Sequence, residues 1–208
     1  MVKIISKARL KKLTELVLEH GHHASFDKGV CAMEAVAWLA REGHSDHPEC
    51  TCPVIAAFVR RFNDRLRTDN ERNTLLRPLL PVLVGTRSSR AVMINRGYMA
   101  ADWSVRIVLS MLCRALEWND QAVVLESLPS VVDRASALRA RSVAKDVHKQ
   151  VCEKYDAAVA AYAASAADVA AYAAADVADV AGRKRLASVR DDLNTSAVDL
   201  IRRMCAGA

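Results

Sequence analysis

The chain has 208 residues, 52% apolar and 26% charged, with a formal net charge of +6, a composition that suits a globular protein large enough to bury its own core. No stretch of about 18 apolar residues runs free of charge, and Lys3, Lys7, Arg9, Lys11 and Lys12 open the chain with no export-type apolar segment behind them, so a cytoplasmic protein without a membrane contact is expected. Six cysteines in a chain that is neither short nor loop-rich read as reduced thiols, and 5% aromatic residues argue against base-stacking platforms.

Residues 3–19 place Ile4, Leu10, Leu13, Leu16 and Val17 at helical intervals, which predicts an amphipathic helix closed by Gly21. Asp27 is the expected cap of a second helix that passes Trp38 and stops at Gly43. Pro48 and Pro53 force an extended backbone before them, so His44–Cys52 is a predicted loop and Pro53 the first residue of a third helix capped by Cys52. Ile55, Phe58, Val59, Phe62 and Leu66 line its buried face. Pro78 and Pro81 predict a short helix with an irregular second half over 71–84. The broad apolar pattern from Ser88 or Ser89 to Trp118 predicts the most buried helix, followed by a short one capped by Asn119.

Ser130 is the expected cap of a long helical stretch that turns alanine-rich. From Tyr155 onward Val159, Tyr162, Ala166, Val169, Ala173 and Val180 follow alternate steps of four and three, interrupted only at Asp176. Gly182, followed by Arg183, Lys184 and Arg185, predicts a turn, and Leu186, Val189, Leu193, Ala197, Leu200 and Met204 repeat the spacing. The fold predicted is therefore all-α: a multi-helix domain over 1–128, then a C-terminal Ala-rich antiparallel helical hairpin over 129–208. Its small-residue seam suits a protein partner or self-association into an oligomer.

Chemistry concentrates between His20 and Pro53, where five of the six histidines and three of the six cysteines fall. His44, His47, Cys50 and Cys52 are candidate ligands for zinc, since neutral imidazole and thiolate suit a borderline-soft ion, with His22, His23, Glu34 and Asp46 in reserve. The spacing departs from the usual paired arrangement. A second reading makes Cys31, at a helix start, the nucleophile of a cysteine- or metal-dependent hydrolase, with His44 or His47 as base and Glu34 and Asp46 beside it. The segment GVCAMEA is similar in outline to cysteine hydrolases of the papain-like kind over those seven residues alone. The third is nucleic-acid binding through Arg60, Arg61, Arg65, Arg67, Arg72 and Arg77 and the basic run at 183–185, without a groove-reading motif. Against all three stands plain packing: small buried cysteines, Asp27 as a cap, and Asp46 and His47 holding a turn.

GVCAMEAVAWLAREGHSDHPECTCPVIAAFVRRFN, MAADWSVR, the alanine-rich region and SAVDLIRRM together resemble a group of uncharacterised actinobacterial and phage-type proteins with a Cys-Met-Glu-Ala and Ser-Asp-His-Pro segment ahead of an Ala-rich helical tail. The resemblance implies an architecture and no activity. It makes Cys31, Glu34, Asp46 and His47, the catalytic candidates of the hydrolase reading, the residues to alter first, without adding a role to any of them.

Overall fold

A computed structural model describes residues 5–154 and 180–207. Among them every regular element is a helix, as expected of an all-α chain, and no helix is long and apolar enough to cross a membrane. Packing divides the chain into two compact units. One holds the described residues of Met1–Arg96 and Ala197–Ala208, the other those of Gly97–Ser196. The division falls inside two helices and not at the turn residues near 128.

In the first unit α1 (Lys7–Leu13) is capped by the Ser6 hydroxyl, which accepts from Arg9 N. Thr14 closes it by donating its hydroxyl to Lys11 O. The helix is much shorter than 3–19 because the chain beyond Thr14 runs on to bury Leu18, whose amide is taken by Asn73 Oδ1. A single 3-10 turn, Phe26–Lys28, precedes α2 (Ala32–Leu39), which starts behind Cys31 and not behind Asp27. The break is Gly29, at φ +127° and ψ 170°, a region that essentially only glycine enters.

Helix α2 is enclosed along its whole length, with every residue except Trp38 buried. That corrects the expectation that the helix after Ser88 would be the most buried. Ala32, Ala35 and Ala37 keep the helix thin enough for neighbours to approach. Trp38 stacks on Phe26 at 5.4 Å between ring centres, with the Arg9 guanidinium 5.0 Å from its own. Arg41, at φ 59°, ends the helix before Gly43 is reached, and Glu42 N returns to Ala37 O in a Schellman closure.

Helix α3 (Pro53–Arg65) begins as predicted, with Cys52 as cap residue and Pro53 in its first turn. It buries Ile55, Val59, Phe62 and Asn63. Thr68 caps α4 (Asp69–Leu75) through a bond from Glu71 N. The two prolines then reduce the chain to a 3-10 turn, Arg77–Leu79, and one turn of helix, α5 (Leu80–Leu83). Leu18, Met33, Leu39, Ile55, Leu76, Leu80 and Leu83 are fully buried in this unit, each such side chain contributing about 1.5–3 kcal/mol.

The second unit contains the end of α6 (Arg90–Asp102), a π-helical stretch Trp103–Leu109, α7 (Ser110–Ala115), α8 (Asn119–Glu126), α9 (Arg134–Lys154) and most of α10 (Val180–Ala206). The continuous helical run Arg90–Ala115 matches the predicted 88–118 closely. Val105, Cys113, Ala122, Leu125, Val131, Ala140, Ala144 and Val147 form its core, and Trp103 Nε1 donates to Ser196 Oγ at 3.0 Å. The cap of α9 is Asp133, which accepts from Ser136 N at 2.7 Å, and not Ser130.

The alanine-rich arm of the expected hairpin, from Tyr155 on, lies outside the described residues. The turn expected at Gly182 is absent, since α10 is helical straight through it. One glycine costs a helix only about 1 kcal/mol relative to alanine, and the arginines, lysine, leucine and alanine after it are good helix formers. Leu200, Ile201 and Met204 at its far end are buried within the first unit.

In that unit Arg96 is 1% exposed. Its Nε donates to Met204 O at 2.8 Å and its Nη1 to Thr86 O at 2.6 Å, while Nη2 has no hydrogen-bond partner. Replacing it by alanine strands two carbonyls and opens a cavity, so Arg96→Ala is expected to lower the unfolding free energy in urea by about 2–4 kcal/mol. Arg96→Met fills most of the space and removes a buried charge. It should cost clearly less than the alanine variant, and an equal loss would show that the two carbonyl bonds dominate.

Candidate functional site

The site begins with a glutamate at the third position of a buried helix. Glu34 is fully buried, and its Oε2 accepts from Cys31 N at 2.8 Å, the reach-back of a capping box. A lone carboxylate in that position would be costly to bury. Two further donors arrive from the loop before the helix: His23 N bonds Oε1 at 2.8 Å and His23 Nδ1 bonds Oε2 at 2.9 Å. Since the carboxylate only accepts, Nδ1 of His23 is the donor in this bond.

The loop is held by α3. Asn63 is fully buried; its Nδ2 donates to Glu19 O at 3.0 Å and its Oδ1 accepts from Ala32 N at 3.2 Å. Asp64 Oδ1 accepts from Gly21 N at 2.9 Å. The imidazole of His23 then lies across Gly29, where an added Cβ would stand 2.5 Å from its Cδ2. Glycine is required there twice over, by backbone angle and by contact.

Two more imidazoles approach the same carboxylate. His22 Nδ1 lies 2.8 Å from Glu34 Oε1, with a side chain 63% exposed. His44 Nε2 lies 3.5 Å from that same oxygen and donates to His23 O at 2.8 Å. The two rings are 6.4 Å apart between centres. Asp46 Oδ1 is 4.0 Å from His22 Nδ1 and 3.6 Å from His47 Nε2. Arg60, on α3, pins this turn by donating Nη1 to Asp46 O at 2.8 Å, with its Nε 3.9 Å from Asp46 Oδ2.

Burial resists the ionisation of Glu34, but the amides of His23 and Cys31 and the His23 ring outweigh it and hold the carboxyl below its ordinary range. The opposite holds at Cys31. Burial pushes its thiol up to about 12, so at neutral pH it is protonated and a poor nucleophile. It is 3% exposed.

The structure thus brings together Cys31, Glu34 and Asp46, the last two through His22, while His47 sits at the rim. It does not assemble the expected zinc ligands. His44 faces His23 and Glu34; His47 faces Asp46. Cys50 is buried with its sulfur 3.6 Å from Thr51 Oγ1, and Cys52 is a buried cap residue whose amide bonds Thr86 Oγ1. Among the described residues no group of three or more His, Cys, Asp or Glu side chains is placed so that it could hold a metal ion. The centre of the cluster is His22 and His23, reserve candidates by sequence, and the signal for Glu34 was Cys31-x-x-Glu34, a capping box with cysteine in the usual serine position.

The arginines proposed for nucleic acid are largely committed. Arg72 is buried against Asn63 O, Leu66 O and Asp69, and Arg77 is bonded to Thr14 O and Asn73. Compared with protein-family models, curated proteins and solved structures, the chain matches none.

Because the folded carboxyl of Glu34 ionises below its unfolded value of about 4.3, its stabilisation is complete above that pH and disappears as the pH falls through the folded value. The stability gap between the natural protein and Glu34→Gln should therefore be level near neutrality and close in acid, as read by urea melts across pH. A gap independent of pH would mean that the charge is not what the amides hold. Gly29→Ala should cost about 1–3 kcal/mol and shift the NMR resonances of the His23 ring; a silent substitution would show that the ring can move aside freely.

Proposed function

We propose that the chain is a helical interaction protein whose contact surface is the loop face around Glu34, made of His22, His44, Asp46, His47 and the Arg60 that braces them. The observation that carries the reading is the burial of Glu34 among main-chain amides. A rigid carboxylate at that depth fixes the direction of half-exposed polar groups on two separate loops, and groups ordered before binding lose little freedom on binding. The hydrolase reading has less support, because Cys31 is enclosed and protonated and its sulfur lies at a helix cap. Nucleic-acid binding has less as well, since several of its arginines bond within the fold.

A photo-crosslinking side chain placed at His47, 69% exposed, should give a discrete adduct in cells, and the same group at Val132, 66% exposed in the second unit, should not. The adduct should vanish when His22 is changed to alanine in the same chain. Equal labelling from both positions, or none from His47, would overturn the assignment of the contact face.

A further inference from the structure

The cations of this chain are not all used alike. Arg72 is paired with Asp69, Arg106 with Asp102, Arg114 with Glu126 and Arg203 with Asp199. On α1, by contrast, Lys7, Arg9, Lys11 and Lys12 have no carboxylate partner among the described residues, and neither has Lys28 of the 3-10 turn. That turn lies against α1, with Lys12 Nζ 5.9 Å from the centre of the Phe26 ring. Glu15 and Asp27, the carboxylates closest along the chain, are outnumbered. The first turn of α1 has no acidic residue and holds Lys7 and Arg9, where the helix dipole disfavours a cation. A charge pattern that works against its own helix, with no neighbour to offset it, serves something other than stability.

We infer that this face of α1 is a docking surface for the phosphate backbone of a nucleic acid, bound without base readout. Leu13 is buried and turns one side of the helix into the fold, and Lys7, Lys11 and Lys12 are exposed on the other. Lys7 and Lys11 are neighbours one turn apart, about 5–6 Å between Cβ atoms. Two flexible side chains so spaced can reach successive phosphates, which follow at about 3.4 Å of rise along each strand. The helix is fixed before any partner arrives. Ser6 caps its start, Arg77 Nη1 donates to Thr14 O at 2.8 Å at its end, and Arg9 lies over the Trp38 ring. Trp38 and Phe26 stack on each other and carry these cations, which leaves phosphates and not bases as the group recognised. A lipid surface fits less well, because an interfacial helix lays its apolar side in the membrane and Leu13 is already used within the fold. The inference moves the nucleic-acid contact from the arginines of α3 and α4 to the lysines of α1, and it stands apart from the contact face around Glu34.

The test uses the full chain and a fluorescently labelled DNA duplex of mixed sequence, with binding followed by anisotropy as salt is raised. Contacts from Lys7, Lys11, Lys12 and Lys28 give an expected slope of log K against log salt of about −3.6, roughly a hundredfold loss between about 50 and about 200 mM salt. The double variant Lys7→Gln, Lys11→Gln should halve that slope and weaken binding at the lower salt about tenfold or more. The double variant Arg114→Gln, Arg203→Gln removes the same charge from two partnered sites and should leave the slope unchanged. All four side chains are exposed, so both variants should keep the far-UV spectrum of the natural chain, which separates a lost contact from a lost fold. The inference is overturned by an absence of salt-dependent duplex binding, by an equal loss in the two double variants, or by an unchanged slope in the lysine variant. It is overturned as well by retention on phosphatidylserine vesicles without duplex binding, or by polyglutamate competing as well as unlabelled duplex. Crosslinking from His47 can succeed or fail independently of each of these.

Discussion

One carboxylate, taken wholly out of water at the start of an enclosed helix, sets the terms for the amino-terminal loops. Glu34 is tolerable at 0% exposure only because main-chain amides from two places in the chain, Cys31 and His23, point at it, and hydrogen bonds to an ionised group are worth about twice those between neutral ones. Those two amides can converge only if the chain reverses at Gly29 and the His23 ring folds over it. The site is in this sense a consequence of satisfying one ion, and the direction of each imidazole follows from that requirement.

The support continues into α3, where a buried asparagine performs what a strand pairing does in other folds. Asn63 bonds the main chain at Glu19 and at Ala32, and its own carbonyl takes Arg72 Nε. Arg72 in turn bonds Leu66 O and Asp69. Polar residues that look like a solvated basic face in the sequence are thus spent on holding loops to helices. The arginines available to an external phosphate are correspondingly fewer than their number implies.

What the sequence revealed and what it hid divide along the same line. Pro53 after Cys52 specifies a helix start by local geometry alone, and Pro78 with Pro81 specifies its interruption; both are in the structure as read. Local chemistry favours Asp27 as the start of α2, because aspartate is the stronger cap residue, yet tertiary contact selects Cys31: Gly29 opens the chain, and Glu34 closes the cap from inside the fold. Likewise α1 stops at Leu13 although its periodicity continues, since Leu18 is drawn into the core. Gly182 looked like a stop and is not one, because propensity at a single residue is small against the helix around it. The clustering of histidines was legible, but which of them share a volume was not, as it depends on a hydrogen bond from Gly21 to Asp64, 43 residues away.

Arg96 shows the same physics with the sign reversed. Its guanidinium is buried on two carbonyls, Met204 O and Thr86 O, as Glu34 is buried on two amides and a ring. Peptide groups supply part of the counter-charge in each case, the amides of His23 and Cys31 beside the His23 ring for Glu34 and two carbonyls for Arg96. A side-chain partner can follow its ion through a rotamer change, but a peptide group moves only with its backbone. Loops and helix ends held in this way cannot shift without leaving an ion unpaired in a medium of low dielectric constant, where that is most costly. The amino-terminal unit therefore owes the fixed shape of its loops to two buried charges as much as to its apolar core.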